Sequence, residues 1–496
     1  MIKRGSLLYL RWVSLIFISL AIILTVIQLI NYSLQRANYP SGMSVAGVPV
    51  GGLNPQEAAQ RLLQVYASPV EIHYNNAIIH MEPGLVGFEL DVESMLAAAD
   101  LQRVESSFMG GFWNNLWNRS SSTNEVPLVS SISEDRLRAY LQNDIATRYD
   151  LTAVPAQLIP GSTEFLPGQA GLTLDINRAV VLIEDALNSA TSRTVVLTAQ
   201  RTTVIRPTLQ NLQLLIQSLV DNNGYTGLMV LYLLDLRTGE ELHFGYWNGL
   251  NVSVRPNEVA FSADSTNKIP ILVSVYRKFN SQLDEQTTTF TEEMISTSNN
   301  FSSDAVLKII DEIRGPLVVT ENMETLGLQN TCLTAYFTNP IPLDICSTPA
   351  FGRFDVNTVP DPFNQTTASD MGSLLADIYQ CAEMGGGGLI AAFPGQITQS
   401  GCQQMIELLR KDQIGILIQS GVPEGTSVAH KHGWSTNPYT GSNVGASDAA
   451  IVYTPGGDYI LTIYLFDENY QWDSQISPMF ADISRTIYNY FNLESQ

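Results

Sequence analysis

A serine and a lysine stand three positions apart in FSADSTNKIPILVSVYRKF, residues 261–279, at the mouth of an otherwise apolar stretch with helical spacing. Residues three apart on a helix share a face, so the Ser265 hydroxyl and the Lys268 amine can meet. A serine hydroxyl becomes a nucleophile when a neighbouring base takes its proton, and a lysine is that base only while neutral. Burial and a second nearby cation both favour the neutral amine by raising the cost of its charge. A serine at a helix N-terminus can also aim its own backbone N–H at a developing oxyanion. Pro270 removes one hydrogen bond from the same helix, which the first turns tolerate better than the middle.

Ser-x-x-Lys alone is weak, because a helix entry followed by a solvated lysine is spelled the same way. The chain has six lysines, at 3, 268, 278, 308, 411 and 431, and Lys268 alone has a serine three places before it. Two further groups follow in order. Ser298-Asn299-Asn300 stands just ahead of a predicted helix over 302–313, and Lys431-His432-Gly433 just ahead of a predicted strand. The plainer alternatives are helix capping for Ser298 and Asn300 and a surface loop for His432.

The elements that must position these groups are legible in outline. TLQNLQLLIQSLV, from 208, has the spacing of a short amphipathic helix, and 227–247 reads as two strands about an Arg237-Thr238-Gly239 turn. Helices are predicted at 302–313, 368–384 and 400–411, a hairpin about Pro-Gly-Gly at 448–466, and a closing helix from Ser477. Strands at both ends with helices between them imply one sheet closed by its terminal strands, under a helical layer.

With these groups in place the region 225–490 resembles the β-lactamase-like serine hydrolases, the superfamily of class A β-lactamases and penicillin-binding proteins. Ser265-Thr266-Asn267-Lys268 matches the first motif of that family. Ser298-Asn299-Asn300 matches the second with Asn for the usual Asp, and Lys431-His432-Gly433 the third with His for Thr or Ser. The resemblance implies an α/β (α+β) sandwich, an antiparallel sheet with a helical layer, and a site in the groove between them. It also implies roles: Ser265 as the acylated nucleophile, Lys268 as its base, and Ser298 as the proton relay to the leaving nitrogen. Asn300 would hold the substrate amide, and Lys431 would steady a substrate carboxylate and keep Lys268 neutral. His432 and Gly433 would line the substrate cleft, and the amides of Ser265 and Trp434 would form the oxyanion hole. The chain departs from the family in FGRFDVNTVPDPFNQTT, 351–367, which has no glutamate to release an acyl group; Asp355 and Asp361 are its only carboxylates. No cofactor and no metal is implied, since the histidines are scattered and no cysteine pair has C-x-x-C spacing.

Ahead of this region two stretches repeat at an offset of 84, EPGLVGFELDVESMLAAA (82–99) and LPGQAGLTLDINRAVVLI (166–183). Each reads as a turn, a short strand and a helix capped by Asp91 or Asp175, and Asn54-Pro55 opens another helix. With GMSVAGVPVGGLNPQEA, residues 39–204 resemble the peptidoglycan-binding repeats found outside the membrane of many Gram-positive-type bacteria. Trp113 and Trp117, between the copies, have three readings: packing, stacking on sugar rings, or resting at a bilayer interface.

Trp12 to Ile30 is 19 residues without a charge, the length of a membrane span, and Lys3, Arg4 and Arg11 before it keep the N-terminus inside. The sequence divides as a cytoplasmic tail 1–6, a transmembrane anchor 7–30 with a cleaved signal peptide as the alternative, repeats at 39–125 and 126–204, and a catalytic domain at 208–496. The four cysteines allow three pairings; neighbours in sequence are the pairing expected, Cys332 with Cys346 and Cys381 with Cys402, with free buried thiols as the alternative. A net charge of -22 and 45% hydrophobic residues exclude nucleic acid as a partner and favour folded domains. The reading is a single-pass, extracytoplasmic serine hydrolase with peptidoglycan or a β-lactam as its substrate. The alternative is an inactive wall-binding scaffold.

Overall fold

The computed structural model describes residues 4–104, 107–117, 125–255, 258–338, 341–353, 355–437, 440–468 and 475–493. Lys3 lies outside them. A helix covers Arg4–Gln35, and Arg11–Gln35 is long and apolar enough to cross a membrane. The chain forms two compact units, one of Met1–Ala153 with Ala170–Thr203, the other of Val154–Gln169 with Val204–Gln496.

In the first unit the helix starts follow their caps. Asn54 accepts from the Glu57 amide at 2.9 Å while Glu57 Oε2 accepts from the Asn54 amide at 3.1 Å, a reciprocal capping box with Pro55 at the first helical position of Pro55–Tyr66. Asp91 Oδ1 accepts from the Ser94 amide at 3.0 Å, opening Val92–Val104, and Asp175 does the same for Arg178 at 3.1 Å, opening Ile176–Leu187. The two repeats do not have separate cores. Val45, Leu62, Ile72, Met95, Leu141 and Ile183 belong to one buried cluster, and strand Thr194–Val196 pairs in parallel with Val70–Tyr74. Trp113 and Trp117 are 53% and 70% exposed, so packing, the plainest of their three readings, does not describe them.

The second unit is built on a six-stranded antiparallel sheet, in the spatial order Leu250–Val252, Glu241–Trp247, Leu228–Asp235, Tyr459–Phe466, Asn443–Tyr453, Ser427–Thr436. Its early strand Leu228–Asp235 lies against its late strand, Leu228 opposite Phe466 and Asp235 opposite Tyr459, as terminal closure requires. Both strands are apolar on both faces because both faces are covered. Helices Leu209–Asn222 and Ser477–Phe491 pack on one side through Leu212, Ile216, Ile483 and Ile487. Helices Lys268–Lys278, Asn300–Ile310, Ala368–Met384 and Gln399–Leu409 pack on the other through Leu272, Leu307, Leu375 and Ile406. Disulfides join Cys332 to Cys346 and Cys381 to Cys402. Residues 154–169, which the sequence groups with the second repeat, contribute Ala156 and Phe165 to this unit's core, and Asn489 Nδ2 donates to Thr163 O at 2.9 Å.

Candidate active site

Three elements of the second unit converge. A single 3₁₀ turn, Asp264–Asn267, carries Ser265 and runs into helix Lys268–Lys278, where Pro270 occupies the tolerant first turn. Asp264 directly before it has φ +48°, a left-handed conformation that a side chain adopts only under constraint. Its carboxylate accepts a hydrogen bond from Ser435 on strand Ser427–Thr436, tying the turn to the sheet. Burial, with Asp361 close by, pushes Asp264 up to about 7.

Ser298, at φ +55°, ends the segment before helix Asn300–Ile310. The middle residue of that motif is the cap: Asn299 Oδ1 accepts from the amides of Phe301 at 2.9 Å and Ser302 at 3.2 Å. Capping is therefore the work of Asn299, and Ser298 and Asn300 face Lys268.

Lys268 is fully buried. Its Nζ lies 3.0 Å from Ser265 Oγ, 2.9 Å from Ser298 Oγ, 2.8 Å from Ser298 O and 2.8 Å from Asn300 Oδ1. Ser298 Oγ donates to Ser265 Oγ at 2.9 Å. Burial first, and the Lys431 charge second, push Lys268 down to about 7, so a large fraction is neutral at physiological pH.

Strand Ser427–Thr436 brings the third group alongside, inside the strand rather than ahead of it. A Cβ placed on Gly433 would stand 3.2 Å from the Ser265 amide nitrogen and 2.9 Å from Ser447 Oγ, so this close approach requires glycine. Lys431 and His432 are buried on a carboxylate that sequence reasoning missed. Asp412 Oδ2 accepts from Lys431 Nζ at 3.0 Å and from His432 Nδ1 at 2.7 Å. Burial opposes the charge of Asp412, but the His432 hydrogen bond and Lys431 outweigh it and hold the carboxyl well below its ordinary range. Burial lowers both Lys431 and His432. His432, expected at the substrate and alternatively in a surface loop, is 2% exposed and leans on Trp434, with ring centroids 4.5 Å apart. Lys431 thus reaches Lys268 through its field, and no hydrogen bond joins it to Ser265 or Ser298 among the described residues.

The loop that lacks a glutamate holds its two carboxylates in different settings. Asp355 is 65% exposed and pairs with Arg353 at 2.7 Å, while Asp361 accepts from the Phe363 amide at 2.8 Å.

Residues 286–491 match the model of the β-lactamase enzyme family. This region is a β-lactamase-family domain. The match takes in Ser298, Asn300 and Lys431 and begins after Ser265 and Lys268. Among solved structures, that of PBP-A has 20% identity over 58% of this chain and 99% of its own, with a TM-score of 0.41. An ancestral Gram-negative class A β-lactamase has 17% identity over 55% and 98%, TM-score 0.39. The β-lactamase from Sphaerobacter thermophilus has 17% identity over 56% and 97%, TM-score 0.41. No curated protein matches the chain. The β-lactamase-family domain has the mixed α+β fold and the order of motifs that its sequence implied.

Proposed function

We propose that the protein is a membrane-anchored, extracytoplasmic serine hydrolase that forms an acyl-enzyme at Ser265 with β-lactams or D-Ala-D-Ala-type cell-wall peptides. One observation carries the reading. A neutral amine has two N–H bonds and one lone pair, and Lys268 Nζ has two neighbours that only accept, Ser298 O and Asn300 Oδ1, each at 2.8 Å. These take both N–H bonds. The lone pair is left to the hydroxyl pair, with Ser265 Oγ at 3.0 Å, in reach for proton transfer.

The steps follow from that geometry. Lys268 takes the Ser265 proton as Oγ attacks the carbonyl, and the Ser265 and Trp434 amides receive the oxyanion. The new ammonium passes its proton through Ser298 Oγ, 2.9 Å away, to the leaving nitrogen. The segment 351–367 holds no glutamate and Asp355 pairs with Arg353, which supports slow release of the acyl group over rapid β-lactam turnover. Residues 39–204, by their repeat pattern, would hold the domain at peptidoglycan.

Incubation with a fluorescent penicillin, followed by intact-mass measurement, tests the assignment. A persistent adduct of one penicillin per chain, absent in Ser265→Ala, is expected. Equal labelling of Ser265→Ala sinks it, and no adduct on either protein leaves the inactive scaffold as the better reading.

A further inference from the structure

One short helix of the first unit exposes a run of large apolar side chains. The short helix Phe108–Leu116 turns Phe108 and Phe112 toward Tyr32 of the long apolar helix, edge to face at 5.5 and 5.7 Å. Asn115 Nδ2 donates to Gln35 Oε1 at 3.1 Å, and Arg103 Nη1 donates to Ala37 O at 2.8 Å. The short helix is therefore fixed at the last turn of the long one. An adjoining side carries Met109, Trp113, Leu116 and Trp117, one helical stripe, 59%, 53%, 43% and 70% exposed. Leu101 and Val104, at the end of the preceding helix, are exposed as well.

The position of this stripe along the long helix identifies what covers it. Trp12 precedes Tyr32 by 20 residues on one continuous helix. At 1.5 Å per residue that is about 30 Å, the thickness of a bilayer's hydrocarbon core. Aromatic side chains accordingly mark both ends of one span, Trp12 at the first and Tyr32 with Trp113 and Trp117 at the second, where such rings favour the headgroup level. The stripe itself holds no charged residue, and the chain's net charge is -22, so apolar insertion rather than attraction to anionic headgroups supplies the affinity.

We propose that the Phe108–Leu116 helix lies in the outer headgroup interface with Met109, Trp113, Leu116 and Trp117 among the lipids. The first unit is then held to the bilayer at two places, the span and this helix. The proposal rests on the reading of Arg4–Gln35 as a membrane span.

All four native cysteines are in disulfides, so an introduced cysteine takes a label alone. Full-length Trp117→Cys and Ile78→Cys, the second on an exposed strand of the same unit, are labelled with the fluorophore NBD and reconstituted in phosphatidylcholine vesicles. Flotation with the vesicles reads the span separately. The label at 117 should shift to the blue and lose emission about two-fold to a headgroup-level nitroxide lipid, since an interfacial helix sits roughly 5–10 Å into that boundary; the label at 78 should respond to aqueous iodide instead. Protein that fails to float ends the span reading and this proposal with it. Protein that floats but shows iodide quenching at 117 equal to that at 78 overturns the proposal alone. Protection at 117 from both quenchers overturns it in favour of a second copy of the chain.

Discussion

Lys268 is the residue on which the proposed chemistry turns. Its ordinary value is lowered to about 7, so in the proposed reaction the amine serves as base above that pH and is a spent ammonium below it. Acylation by penicillin should therefore rise with pH through an inflection near 7 and fall about tenfold per unit on the acid side. Stopped-flow labelling from pH 5 to 9 reads this, and a flat profile would show that another group takes the proton. Lys268→Arg, which keeps the charge and cannot lose it, should be inactive throughout. The residues of this cluster were legible because four of them, Ser265, Lys268, Ser298 and Asn300, lie in short motifs. Asp412 was not. A buried carboxylate that meets Lys431 and His432 from a different element leaves no spacing to read, and the same holds for Asp264, whose strained backbone only coordinates reveal.

At the scale of elements, the strand Ser427–Thr436 matters through how near it passes the turn at Ser265. Gly433→Ala would place a methyl group 3.2 Å from the Ser265 amide and 2.9 Å from Ser447, so the strand must retreat. Labelling should slow on the order of 10- to 100-fold, the effect of losing oxyanion-hole alignment, with the melting temperature within a few degrees of the parent. Unaltered labelling kinetics would show that the amide of this strand does not serve the reaction. Strong periodicity makes an element legible: the helix expected at 368–384 is Ala368–Met384, and the hairpin expected at 448–466 is the pair Asn443–Tyr453 and Tyr459–Phe466. The caps of the repeats mark α+β modules. Their shared core leaves no such signal, because the strand through which the second repeat joins Val70–Tyr74, Thr194–Val196, is only three residues long.

For the whole molecule, the route of the chain between the two units sets what can be cut. Residues 154–169 leave the first unit to pack in the second, where Phe165 is 3% exposed and meets Tyr490 with ring centroids 6.3 Å apart. A fragment beginning at 208 loses that side chain from its core, at a cost of about 3–5 kcal/mol. Its melting temperature should fall by roughly 10 °C relative to full-length protein, as followed by calorimetry in detergent; equal values would mean that the segment is dispensable. The adjacency of Leu228–Asp235 and Tyr459–Phe466 has a consequence for biogenesis. An apolar strand emerges early from the ribosome and waits for its neighbour until nearly all of the domain has been made. During that interval it is an uncovered, aggregation-prone edge, and closure is governed by a contact of very long range. Closure of the sheet therefore follows synthesis of both cystine loops, which lie in sequence between its two central strands.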